Sequence, residues 1–183
     1  VSYLVLHTLN LPLQIHESYL DSRLTETERK RVVGILMRRV DERIPAPYLT
    51  KEAWFAGMPF YVDERVLIPR SPIAELIEAQ FEPWVKPEGV SRILDLCTGG
   101  GCIAIACALA FPEVQVDAAD ISTDALEVAQ RNVQEFELEG RVKVVQSDLF
   151  SNLEGERYDI IVTNPPYVDM QDMSDLPPEF RHE

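Results

Sequence analysis

Apolar residues return along this chain with two different periods. Between Arg29 and Arg43, the positions Val32, Val33, Leu36, Met37 and Val40 recur at helical spacing. That predicts a helix with those five side chains in the core and Arg29, Lys30, Arg31, Arg38, Arg39 and Arg43 on its polar face. Pro45 and Pro47 close it. From Trp54 to Arg70 the pattern alternates around Gly57-Met58-Pro59, which predicts a β-hairpin, and Ser71-Pro72 then caps a short helix. Further on come brief apolar runs bounded by turn residues: Arg92–Cys97, Val114–Asp120, Val142–Gln146 and Tyr158–Val162. Each is strand-sized, and the longer run from Cys102 to Phe111 reads as a buried helix. Strands that alternate with helices predict a mostly parallel sheet in an α/β domain.

The polar residues that matter lie where those strands end. Arg92–Cys97 runs straight into Thr98-Gly99-Gly100-Gly101, a strand–glycine turn–helix unit in which the backbone can approach a ligand and turn N–H groups toward it. Gly99-x-Gly101-x-x-Ala104 also fits the dinucleotide fingerprint, and about 20 residues on the next strand ends in Asp120, a carboxylate suited to ribose hydroxyls or, more plainly, to a turn before Ser122. The third strand ends in Ser147-Asp148-Leu149, where Asp148 can accept from an adenine amino group and Leu149 can cover the ring, or Asp148 can be an ordinary loop carboxylate.

The fourth strand ends in Asn164-Pro165-Pro166-Tyr167. Two prolines stop a strand, supply no N–H and leave carbonyls free. The Asn164 oxygen and the Pro165 carbonyl can take the two hydrogens of one planar NH₂ group while the Tyr167 ring packs on its plane. The corner thus reads as a holder for a nitrogen nucleophile; the bland alternative is a strand-ending turn.

Composition narrows the classes. The 183 residues, 46% of them hydrophobic, suffice for one domain with an appendage. Net charge is −14. Residues 1–51 carry +2, so the remainder carries −16, which suits a basic protein partner and repels bare nucleic acid. Cys97, Cys102 and Cys107 are odd in number and unclustered, which reads as reduced thiols in a cytoplasmic protein without a metal site. The longest apolar run falls well short of a bilayer span of about 20 residues, so no membrane insertion is expected. His7, His16 and His182 fall into no nucleophile–base pattern.

Asp95-Leu-Cys-Thr-Gly-Gly-Gly-Cys-Ile-Ala together with Asn164-Pro-Pro-Tyr resembles the class I S-adenosylmethionine-dependent methyltransferases that modify amide or aromatic amine nitrogens, within them the HemK/PrmC/PrmB family of protein-(glutamine-N5) methyltransferases. The likeness runs over nearly the whole chain. Val66–Ile73 and Asp175–Glu183 resemble the PrmB subgroup, which methylates a glutamine of the third large-subunit ribosomal protein; the sister PrmC subgroup, which acts on peptide-release factors, typically has Pro-Glu-Thr-Glu where this chain has Ser71–Ala74. Gly100 departs from the Ser or Thr common there.

The resemblance implies a Rossmann-like, mostly parallel domain over residues 71–183, a β-hairpin linker over 53–70 and an N-terminal helical substrate-recognition segment over 1–52. It implies S-adenosylmethionine as cofactor, its methionine part held by Asp95 and Cys97–Gly101, its ribose by Asp120, its adenine by Asp148 and Leu149. Asn164, Pro165, Pro166 and Tyr167 would hold the glutamine amide, with Asn164 also beside the cofactor. The partner would be a large-subunit ribosomal protein, with weak ribosomal RNA contact through the basic helix as a further option.

Other readings stay open: glutamine methylation of release factors, adenine-N6 methylation with a flipped base, an NAD-dependent oxidoreductase that leaves the corner idle, or a binding fragment. Both ends read as cut by comparison with the seven-stranded class, so the 183-residue chain by itself is expected to be unstable or inactive. The stretch Asp169–Asp175 reads as a loop over the site.

Overall fold

A computed structural model describes residues 1–12, 14, 19, 21–166, 177, 179 and 182. The N-terminal part is helical: α1 (Ser2–Thr8), α2 (Glu26–Asp41) and the short α3 (Ala46–Thr50). A capping box starts α2: the Thr25 hydroxyl accepts from Glu28 N–H, and the Glu28 carboxylate accepts from Thr25 N–H at 2.7 Å.

The apolar stripe of α2 is only partly a core face. Val32 is buried and Leu36 half-buried, whereas Val33, Met37 and Val40 are 53%, 56% and 66% exposed. The five positions span an arc too wide for one contact. The helices α1 and α3 cover the side that holds Val32, and Val33, Met37 and Val40 point about 100° away from it. The cations are also less free than the pattern suggested. Lys30 pairs with Glu26, Arg38 with Glu42, Arg39 and Arg43 with Glu179, and Arg31 donates to the Thr8 carbonyl.

Next comes the hairpin, β1 (Glu52–Phe55) and β2 (Met58–Tyr61), paired antiparallel. Its turn is Ala56-Gly57, one residue earlier than the sequence pattern indicates, with φ of +47° and +74°. Positive φ at both turn positions matches the twist of the flanking strands, and Met58-Pro59 consequently lies inside β2. Phe55 and Phe60 enter the main core, where Phe60 stacks on Phe136 at 4.9 Å.

The helix α4 (Ile73–Glu78) then leads to β3 (Arg92–Leu96), α5 (Cys102–Ala110), β4 (Gln115–Asp120), α6 (Thr123–Glu135), β5 (Val142–Gln146) and β6 (Ile160–Thr163). The four strands are parallel in the order β5-β4-β3-β6. Ile93, Val116, Ala118 and Val162 face α5, whose residues Cys102–Ala108 are all buried, as an apolar helix with no polar face must be. Leu94, Leu96 and Ala119 face the other way, where Leu153 of the loop after β5 packs on them. Among the described residues β6 is an edge strand, and Ile161 beside Leu94 is 51% exposed.

Candidate functional site

Because the strands are parallel, their carboxyl ends bring Cys97, Asp120, Ser147 and Asn164 to one rim of the sheet. The glycine loop is built from below. Asp95, wholly buried on β3, accepts from the Thr98 hydroxyl and from Ala104 N–H at 3.0 Å, which fixes the loop to the start of α5. Burial pushes its carboxyl up to about 7, against the lowering effect of those two donors. Its Oδ1 is buried without a hydrogen-bond partner among the described residues. Asp95 thus shapes the loop from beneath.

Cys97 turns the chain off β3 with φ of +63°, a conformation that strains a side chain. Gly99 and Gly101 have φ of +54° and +80°; at Gly101 a Cβ would also meet the Cβ of Ala129 at 3.2 Å. Gly100 differs. It has no positive φ, and a Cβ there would make ordinary contacts at 3.6 Å or more with Val66, Val128 and Asn132, so the space for a small side chain exists.

Asp120 sits on the same rim. Its Oδ2 accepts from Gly99 N–H at 2.9 Å and its Oδ1 from Ser122 N–H at 3.0 Å, so it joins the β4 end to the glycine loop and also forms the local turn before α6. Asp148 is exposed, its N–H donated to the Ser151 hydroxyl. Leu149, with φ of +48°, is 57% exposed, and Ile121 directly after Asp120 is 62% exposed. Two apolar side chains left in water at the β4 and β5 ends offer cover for a flat apolar ring. Ile121 was not singled out in the sequence, since one isoleucine after a strand carries no pattern.

Asn164 lines a cleft shared with Thr98, Gly99, Gly100 and the 67–71 segment, and its side chain has no hydrogen-bond partner among the described residues. Thr163 just before it donates to the Leu96 carbonyl at 2.7 Å, fastening the β6 end to the β3 end. Pro165 and Pro166 are exposed. Tyr167 and the 169–175 stretch lie outside the described residues.

A second residue that sequence reading missed is Asn132 of α6, wholly buried. It accepts from Tyr61 N–H at 2.9 Å and donates to the Tyr61 and Gly100 carbonyls at 3.1 and 2.8 Å. One amide thereby staples the hairpin to the glycine loop. An asparagine at an inward-facing helix position is the only trace of it in the sequence.

The three thiols are free, and burial raises each of them, so none is a ready nucleophile. Among the described residues no cluster of His, Cys, Asp and Glu is arranged to hold a metal ion, and no helix is long and apolar enough to cross a membrane.

The methyltransferase small domain family matches residues 83–177, just over half of the chain. A curated relative from Bordetella pertussis, called ribosomal protein uL3 glutamine methyltransferase, is 55% identical over 182 residues, which is 99% of this chain and 61% of the relative. One of the same name from Neisseria meningitidis serogroup B is 52% identical over 183 residues, 100% of this chain and 60% of the relative. The chain therefore spans about 60% of the length of these curated relatives. Among solved structures, human methyltransferase 10 domain containing protein aligns with a TM-score of 0.49 at 19% identity, over 80% of this chain and 65% of that one.

Proposed function

Because the chain belongs to the methyltransferase small domain family, we propose that it carries the cofactor-binding and amide-binding parts of an enzyme that methylates the side-chain nitrogen (N5) of a glutamine in ribosomal protein uL3. The observation that carries this reading is that Asn164, whose amide has no hydrogen-bond partner among the described residues, opens on the same cleft as Thr98, Gly99 and Gly100. Relatives above 50% identity bear that activity in their names.

The residues present fit S-adenosylmethionine. The positive-φ cradle of Gly99 and Gly101 leaves room for close backbone approach, Asp120 offers carboxylate acceptors at the strand end, and Ile121 and Leu149 offer apolar cover. In this reading Cys97–Gly101, shaped by Asp95, hold the methionine part, Asp120 the ribose, and Asp148 and Leu149 the adenine. When bound, the cofactor supplies a methyl carbon that an amide nitrogen can attack directly. The chain's own task is positioning. The Asn164 oxygen and the Pro165 carbonyl accept both amide hydrogens, which aims the nitrogen and favours the positive charge it gains, while Tyr167 covers the amide plane.

Residues 1–52 serve in this reading as the substrate-recognition segment, 53–70 as the link and 71–183 as the transfer domain, all in the cytoplasm. Contact with ribosomal RNA through α2 is the weaker part, because among its five cations only Arg29 lacks an intramolecular partner within the described residues, and Arg43 just beyond the helix is paired as well.

The test is peptide-mapping mass spectrometry after undermethylated ribosomal proteins, release factors and adenine-containing DNA are incubated with the full-length protein and S-adenosylmethionine. A single methyl on a uL3 glutamine, reduced at least a hundredfold by Asn164→Ala, is expected. A methyl on a release factor or on adenine overturns the substrate.

A further inference from the structure

Three residues of α6 grip the segment that leads from the hairpin to the cleft. Glu127 pairs with Arg65 at 2.7 Å, the Arg131 guanidinium lies 3.4 Å above the centre of the Tyr61 ring, and the Asn132 amide holds both backbone groups of Tyr61. Between those points and the cleft, Val62 and Val66 are buried in one cluster with Val128 of the same helix. The Tyr48 hydroxyl of α3 donates to the Val66 carbonyl at 2.7 Å. Leu67 to Ser71 follow directly, and they line the cleft together with Cys97–Gly100 and Asn164.

Asn132 does more than its neighbours because it also reaches the glycine loop. It donates to the Gly100 carbonyl at 2.8 Å, one residue after Gly99 donates its N–H to Asp120 at 2.9 Å. Gly99, Gly100 and Gly101 have no side chains to fix their backbone, so fastenings from outside decide its shape. Asn132 is wholly buried, and at the Gly100 side water cannot stand in for its amide.

We propose that Asn132 is a positioning residue: it carries the placement of the hairpin, and of the cleft wall behind it, into the glycine loop, and so sets how tightly that loop grips the cofactor. The proposal rests on the S-adenosylmethionine reading for its ligand; the coupling of hairpin to loop does not. A cradle held in shape before its ligand arrives has less freedom to lose on binding, so releasing the amide weakens cofactor binding although Asn132 lines no part of the cleft. The hairpin's own fastenings then act on the cofactor only through Asn132.

The experiment measures the Kd for S-adenosylmethionine by calorimetry on the full-length protein, at a temperature where circular dichroism shows every variant folded. Asn132→Asp keeps the shape and the acceptor for Tyr61 N–H but gives up both donors, and it is expected to raise Kd about tenfold. Val142→Ala, a core variant on β5, is expected to stay within about twofold of the parent. Arg131→Ala, which removes the cover over Tyr61, is expected to raise Kd about threefold alone and to add nothing in the Asn132→Asp background. A purely structural role would not give that non-additivity. Kd within twofold of the parent for Asn132→Asp, an equal rise in Val142→Ala, or additive effects in the double variant overturns the proposal. Asn132→Ala serves in the same comparisons if the buried carboxylate prevents folding. Amide hydrogen exchange in the peptide 97–104 separates the two readings: if the parent binds no S-adenosylmethionine, faster exchange in Asn132→Asp still supports the coupling, and unchanged exchange overturns it.

Discussion

Asp95 is a carboxyl that burial holds near neutrality, and the sign of its effect on stability follows. Its folded value of about 7 lies above the ordinary 3.8, so between those limits the folded protein keeps a proton that the unfolded chain has released. Its contribution therefore worsens as pH rises from about 4 to 7 and stays unfavourable above that, with a slope of up to about 1.4 kcal/mol per pH unit. Asp95→Asn keeps the shape and one acceptor for Thr98 and Ala104. Relative to the parent, its melting temperature is expected to gain steadily across that window and level off above it, as read by thermal melts at a series of pH values. A constant difference across the window would sink the assignment. The residue type and its place before a glycine turn were legible in the sequence. Its complete burial was not, since that depends on α5 closing over β3 from a separate part of the chain.

At the scale of elements, the sequence was most informative where chemistry is local. The strands β3 to β6 and helix α5 came from apolar runs bounded by turn residues. It failed where packing decides. The stripe of α2 looked like a core face because periodicity reports which residues can be buried together, while burial itself requires a neighbouring element on that side. Val33, Met37 and Val40 have none among the described residues. The staple by Asn132 was hidden for a similar reason: its three partners belong to β2 and the glycine loop. Asn132→Ala leaves three backbone groups of partly or fully buried segments without their partner, and a cost of about 3 kcal/mol is expected, since water can reach only the Tyr61 side. Urea unfolding should show it as a lower midpoint with an unchanged slope. A loss below about 1 kcal/mol would mean that the staple is incidental.

For the whole molecule, the hairpin is the unexpected member of the core. Phe60 is 1% exposed and joins Phe55 and Phe136 in the cluster that also holds α5 and β3. Phe60→Ala is expected to cost about 3–5 kcal/mol and to speed hydrogen exchange in β3 along with β1 and β2, because one core serves both. Faster exchange confined to the hairpin would show instead that it melts alone. The alignment of β3 with β6 has a consequence of a different kind. Leu96 pairs with Thr163, so Cys97 and Asn164, the first residues of the loop and of the corner, leave the sheet side by side. The two strands act as a ruler with marks about 3.3 Å apart. One residue more or fewer within β6 would carry Asn164 a full mark along and turn it to the opposite face of the sheet. The spacing between the glycine loop and the corner is in this sense counted in peptide units, and chain length within β6 sets it as firmly as the side chains at its end.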